Sequence, residues 1–485
     1  MEKIVGGFLG TPNSAAVAAS EEQARAGAEA PIHYVPPLKV RGAPPPCPPV
    51  PRPPFPPGTP LCCLRRPVIA RDSMHVGLGG GWAGPPAGPP CVLHPLSSYA
   101  RGANHVAGAS AIQEMCVKVA AAHFRENPIL NSALPEEYVA KIVKLLPIDL
   151  PLELVAHLVE NEDYWKRRAL NRWKKVHTAS HGNSWKQTFF EKNLQENIES
   201  FDPVTTELVS LERLLRLSQP YVRNLTIQQL PSHLDLELIF KILREGLTSL
   251  SLTYGMRNVG MDYDRSLFGM KLSDCRLMAK ALESTETLTH LNLSNNLLDD
   301  DKVRMICSGL VDNISVIHLD LSKNKIADRG ARAISKLLDS RSCITFLDLS
   351  DNQIHSEGGK SMARALRENT SLLFLSLRLN RIGDDAGRSL CDALRTSSTL
   401  ERLNLSANSL GSQTAASLAT QLRFNQSLKY LDISCNNFGA EGGKGLKEAL
   451  EEGTSLRKLD VRLCGFDEDL ELSIKEMVKS HADKK

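Results

Sequence analysis

The chain has 485 residues, with 58 Lys plus Arg against 55 Asp plus Glu, and that length has room for two or three domains and a large core. A net charge of +3 points neither to nucleic acid nor to an anionic membrane surface, and no run of about 18 apolar residues is present to span a bilayer. Nine basic and five acidic residues fall in the first 110, leaving 49 basic against 50 acidic over the remainder.

The opening stretch, MEKIVGGFLG, has an acid beside its only lysine and a glycine-broken apolar run, which makes a poor signal peptide. Twenty-one of the 28 prolines fall before residue 100. Proline removes backbone donors, and the local apolar content is too thin to offset ordering entropy. Residues 1–110 therefore read as a disordered Pro/Gly/Ala-rich arm with polyproline II character near 44–57. The 11 cysteines are scattered singly apart from Cys62–Cys63 and form no CxxC pair. They suit buried or free thiols in a reducing compartment, so the expected address is the cytoplasm.

Residues 111–245 read as an all-α block. The segments AIQEMCVKVAAAHF, PEEYVAKIVKLL, PLELVAHLVENEDYWKRRALNRW and SWKQTFFEKNLQENI show apolar residues at helical spacing. Pro135, Pro147 and Pro151 sit where helices begin or end. His177 and His181 are four apart, as on a zinc-binding helix, but no further ligand follows in pattern, and no metal is expected.

From Leu288 the pattern LxxLxLxxNxL recurs at 288, 316, 344, 372, 400, 428 and 456, a spacing of 28 every time. That is a leucine-rich repeat array. A degenerate copy, LTSLSL at 247–252, lies further from the first than that spacing allows, implying an insertion around GMDYD. The expected solenoid spans 246–470, followed by a charged helical tail at 471–485. Leu291 and Leu293 enter the interior from a short strand. The column Asn296, Asn324, Asn352, Asn380, Asn408 and Asn436 satisfies backbone groups of neighbouring turns, and Cys464 takes that place in the last copy. Each repeat then spends a helix on the core: Ile306 and Leu310, Met362 and Leu366, and their equivalents lie at i, i+4 on one face.

The hexapeptide SEGGKS (356–361) resembles the end of a phosphate-binding loop. Its column holds KVRM, GARA, AGRS, TAAS and GGKG in the other repeats, and Ile354 stands where such a loop requires glycine. It therefore reads as the small-residue first turn of a repeat helix. The basic column Arg304, Arg332, Lys360, Arg388 and Lys444 has Asp301, Glu357, Asp385 and Glu441 three residues earlier. These read as locally paired helix faces rather than a ladder for an acidic partner such as tubulin.

The concave strand face of a solenoid is its usual docking surface. One outward column reads His290, His318, Phe346, Phe374, Arg402, Tyr430, Lys458. The next reads Asn292, Asp320, Asp348, Ser376, Asn404, Asp432, Asp460. Exposed Phe346, Phe374 and Tyr430 beside the acidic strip of Asp320, Asp348, Asp432 and Asp460 read as a protein-binding surface, against the alternative of cross-strand pairs that only stabilise the sheet. Glutamate at 346 and 374 is expected to leave the fold intact. There is no GxSxG, no HExxH and no nucleophile with a recognisable base, so no catalytic residue and no cofactor is expected.

The repeats resemble the ribonuclease-inhibitor class shared with Ran GTPase-activating proteins. Residues 134–173 are similar to an F-box, with Leu134, Pro135, Ile142, Leu146, Pro147, Asp149, Leu150, Trp165 and Trp173. A wider resemblance runs from about 123 to 470 through FRENPIL, ENEDYWKRRALNRW, HGNSWKQTFFEKNL, GMDYD, DRGARA and LDISCNN. It is to the leucine-rich repeat subunit family of the axonemal nexin–dynein regulatory complex. That resemblance implies a non-catalytic scaffold in the cilium or flagellum. It also implies coiled-coil and leucine-rich repeat subunits of that complex as partners, and leaves a contact with microtubule doublets open. Two rival readings remain: an F-box adaptor of a cullin ubiquitin ligase, and a Ran-type GTPase activator, whose acidic tail is replaced here by HADKK.

Overall fold

The computed structural model describes residues 105–483 except 131–133, 203, 231–233, 235 and 257–263. The expected arm lies outside the described residues up to position 104, as does most of the GMDYD insertion. Residues 105–110 already belong to the first helix.

Six helices come first: α1 His105–Ala122, α2 Glu136–Leu145, α3 Leu152–Leu158, α4 Glu162–Arg172, α5 Trp185–Glu199 and α6 Leu208–Ser218. Chain punctuation sets their ends. Pro135 and Pro151 precede α2 and α3, and the Asn161 side chain caps α4 by accepting from the Tyr164 N–H at 3.1 Å. Trp165 is fully buried against Phe189 and Phe190, and its indole N–H donates to the Val159 carbonyl at 2.8 Å.

Strands and helices then alternate: β1 Asn224–Leu230, α7 Leu236–Leu243, β2 Ser249–Tyr254, α8 Leu272–Ser284, β3 His290–Asn292, α9 Asp300–Leu310, β4 His318–Asp320, α10 Asp328–Ser335, β5 Phe346–Asp348 and α11 Ser356–Glu368. They continue as β6 Phe374–Ser376, α12 Gly383–Leu394, β7 Arg402–Asn404, α13 Ser412–Leu422, β8 Tyr430–Asp432, α14 Gly439–Glu451, β9 Lys458–Asp460 and α15 Glu468–Asp483. The strands form one parallel sheet in sequential order, with equivalent leucines in register from Leu225 to Leu459. Strands sit about 4.8 Å apart whereas packed helices need about 8–10 Å, so the strand side is the concave one.

The array begins earlier than the sequence indicated. β1 pairs with β2 inside the segment assigned to the helical block. Leu225 stands opposite Leu250, a separation shorter than the repeat period, which hid β1 from the repeat pattern. The tail is not a separate element either, since α15 buries Ile474 and Val478 against the last repeat.

Both ends of the array are closed. A bare edge strand offers unpaired N–H groups, and α5 covers that of β1. Glu191 is buried, and its Oε1 accepts from the Arg223 and Asn224 N–H groups at 2.8 and 2.7 Å while its Oε2 contacts His181 Nδ1. Glu199 accepts from the Gln228 N–H at 2.7 Å. This is the structural work of the HGNSWKQTFFEKNL run.

Between the ends, the asparagine column stitches the turns. Asn352 donates to the carbonyls of Leu321, Leu349 and Ser350 at 3.0–3.2 Å and accepts from the Ile326 N–H at 3.1 Å. Beside each asparagine a non-glycine residue adopts left-handed φ, among them Lys323 (56°), Asp351 (54°) and Ala407 (54°). That conformation costs about 1–2 kcal/mol per residue. It is held because each of these N–H groups donates to the following repeat, as from Lys323 to the Ser350 carbonyl at 2.8 Å. At the last turn Cys464 Sγ donates to the Ile433 carbonyl at 3.2 Å, where an asparagine amide would.

A second asparagine set escaped the sequence reading. Asn313, Asn369 and Asn425 close the loops after α9, α11 and α13, donating back to Leu282, Leu338 and Leu394 carbonyls. They recur in every second repeat, so the array alternates between unlike loop types.

Replacing Asn352 with Ala strands a buried N–H and three carbonyls, each worth about 1–3 kcal/mol when left unpaired. Urea denaturation of Asn352→Ala should show a loss of about 2–4 kcal/mol, with no comparable loss for Asn295→Ala at the surface of a turn of the same kind.

Candidate docking face

The outward columns of β3 to β9 form a single ladder. His290 stacks on His318 with ring centroids 5.0 Å apart, His318 on Phe346 at 3.8 Å, and Phe346 on Phe374 at 4.1 Å and 2° between planes. The Arg402 guanidinium lies 5.5 Å from the Phe374 centroid and 5.2 Å from that of Tyr430. Parallel in-register pairing makes this unavoidable, since residues one repeat apart stand one strand spacing from each other.

Phe346 and Phe374 are half-buried by that stacking rather than exposed, while His290, Arg402, Tyr430 and Lys458 stay open. Glutamate at 346 or 374 would therefore break the stack as well as alter the surface, and the expectation of an untouched fold is corrected. The acidic strip also differs from its sequence reading. Asp320, Asp348, Asp432 and Asp460 each turn an Oδ1 inward to accept the N–H two residues on, at 2.8–3.2 Å. They hold the turns after the strands. The Arg462 guanidinium, 2.7 Å from Asp460, keeps that carboxyl below the usual range.

Arg402, Tyr430, Asp432, Lys458 and Asp460 surround a cleft of about 170 Å³ on the C-terminal half of this face. Its wall is aromatic and of mixed charge, a surface suited to a protein side chain.

Elsewhere the candidates for chemistry have structural work. SEGGKS opens α11. A Cβ on Gly358 would meet Asp328 Oδ1 at 2.7 Å, and one on Gly359 would meet the Ala386 Cβ at 2.8 Å. Asp328 Oδ1 accepts from the His355 and Gly358 N–H groups at 2.8 Å, capping α11 from the preceding repeat. Asp384 caps α13 in the same way. Lys360 points outward to Glu357 at 3.2 Å. Burial pushes the Cys275 and Cys307 thiols up to about 12, which makes them poor nucleophiles. Among the described residues no cluster of three metal-ligating side chains occurs, His177 and His181 included.

Residues 312–335, 342–363, 368–391 and 424–447 match the family model described as Leucine Rich repeat. The chain is 58% identical over 194 residues to "Dynein regulatory complex subunit 5" of Chlamydomonas reinhardtii, covering 40% of this chain and 50% of that one. It is 35% identical over 230 residues to the protein of the same name from Mus musculus, covering 42% of this chain and 46% of that one. The chain thus spans about half the length of the curated relatives it matches. These matches bear out the family resemblance read from the sequence.

Burial and the neighbouring His290 lower the His318 pKa, outweighing the pull of Asp320 and Asp348 in the other direction. His318 is thus neutral in the folded stack, and its contribution to stability is full above the ordinary histidine value of about 6.5. It is lost as pH falls from there toward the depressed folded value. Denaturation midpoints of His318→Phe and the parent should diverge in favour of the variant between about pH 7.5 and pH 5.5. A constant difference would show that this imidazole does not sense pH in the fold.

Proposed function

We propose that this chain is a non-catalytic scaffold subunit of the axonemal nexin–dynein regulatory complex, acting by protein binding in the control of ciliary or flagellar bending. The 58% match to the Chlamydomonas subunit supports the assignment to that complex. The single structural observation that carries the scaffold role is the ladder from His290 to Tyr430. It is one uninterrupted row of ring and guanidinium surfaces across six strands, ending in a cleft. Its occupants would be other subunits of the complex, anchored on Arg402 and Tyr430, residue types that dominate binding energy at interfaces.

The helical block fits the same role. Through Glu191 and Glu199 it closes the first strand edge, and its F-box-like tryptophan, Trp165, is fully buried as packing.

In ciliated cells, tagged protein should localise to the axoneme and be extracted with the regulatory-complex subunits. Arg402→Glu with Tyr430→Ala, both at exposed positions, should leave thermal melting unchanged and reduce co-extraction by about tenfold or more. Diffuse protein carrying a cullin would favour the ubiquitin-ligase adaptor, and accelerated GTP hydrolysis by a Ran-type GTPase would favour the activator. Either outcome would sink the proposal.

A further inference from the structure

The helix side of the array carries a charge arrangement that its local pairing does not explain. On α9, α11, α12 and α14 the first-turn base meets an acid three residues earlier, at 3.4 Å for Arg304–Asp301, 3.2 Å for Lys360–Glu357, 3.4 Å for Arg388–Asp385 and 2.9 Å for Lys444–Glu441. In α10 the acidic place is taken by Arg329. Arg329, Arg332 and Lys336 fall at i, i+3 and i+7 and are all exposed. The one acid of that turn, Asp328, faces away to cap α11. Among the described residues no carboxylate pairs with Arg329, Arg332 or Lys336.

The same repeat is built differently behind that charge. α10 is 8 residues long where α9 and α11 are 11 and 13, and it runs out through a 3-10 turn at Lys336–Leu338. The missing turn leaves a groove. Between α9 and α10 it holds a cavity of about 370 Å³ whose rim is Arg304, Arg329, Arg332 and Lys336, with no acid in its lining. Its floor is apolar, with Cys307, Val311, Ala333 and Leu337. It joins a second cavity of about 330 Å³ through Val311, Lys336 and Leu337, which continues to Ile314 and Arg341. Val311 and Ile314 are 58% and 83% exposed in this groove, which gives a partner apolar area to cover.

We propose that this groove docks an acidic protein segment carrying large apolar residues, laid across α9 and α10 on the side opposite the strand-face ladder. Glutamates of such a segment meet the unpaired cationic rim, and its apolar side chains cover Val311 and Ile314. The apolar floor, with no aromatic ring on which bases would stack, favours a peptide over a nucleic acid. This site is separate from the strand face, so its test does not depend on the function proposed above.

The test is fluorescence anisotropy of the full chain with a fluorescein-labelled peptide of four Glu-Glu-Leu-Glu units at about 0.15 M salt. Saturable binding is expected. It should weaken at least about tenfold in Arg329→Glu/Arg332→Glu/Lys336→Glu, and in the milder Arg332→Gln/Lys336→Gln should any refolding of the first be suspected. Val311→Ser/Ile314→Ser should weaken it by about threefold or more. Arg388→Glu/Lys444→Glu, which removes paired bases elsewhere on the same side, should leave it unchanged. Equal binding by the α10 variants, equal losses in the Arg388/Lys444 variant, equal affinity for an all-glutamate peptide, or tighter binding of an oligouridylate of matched length would each overturn the proposal.

Discussion

Every turn of this array buries backbone carbonyls and N–H groups that it has no means of pairing by itself. The asparagine column resolves this by spending each amide on two turns at once, its own and a neighbour's. Because a buried polar group left unpaired is penalised more than a made bond is rewarded, neither turn is stable without the other. The rest of the architecture follows. The left-handed residues are tolerated only where the next repeat receives their N–H, the aspartates of one helix cap the next, and the leucines meet a facing layer that comes from elsewhere in the chain.

The same interdependence makes the ends a problem, and the two ends solve it differently. At the start, two glutamates on α5 present carboxylate oxygens to the bare strand edge, replacing the carbonyls that a further strand would bring. At the finish, a helix covers the apolar core, and a thiol substitutes for the last amide because only one side of it still has a turn to serve. With both edges covered, the array offers partners its flanks, a concave side of rings and a helical side of charge.

Much of this was readable because neighbours in space stand one repeat apart in sequence, so aligning the repeats is close to mapping the surface. Columns gave the core leucines, the asparagine ladder and the small-residue turn that makes SEGGKS harmless. They misled where a property belongs to two adjacent strands. Phe346 and Phe374 look exposed one repeat at a time and are half-buried once stacked. Asp320 and Asp348 look like a free acidic strip until their turns claim them. β1 was missed because its spacing to the next strand is off the period, and Asn313, Asn369 and Asn425 because they keep a period twice as long. Arg329 in an acidic column was visible, but only the short helix behind it shows why that exception matters.

The doubled period has a bearing on how such a chain can change length. Each asparagine loop is matched to a neighbour of the other kind, so the interchangeable module is a tandem pair rather than the single repeat that the leucines count. Excision or duplication of a tandem keeps every seam between unlike loops. An odd number brings two like loops together, with amides competing for the same carbonyls on one side and serving none on the other. Recombination within such a gene would leave its viable descendants differing by even steps.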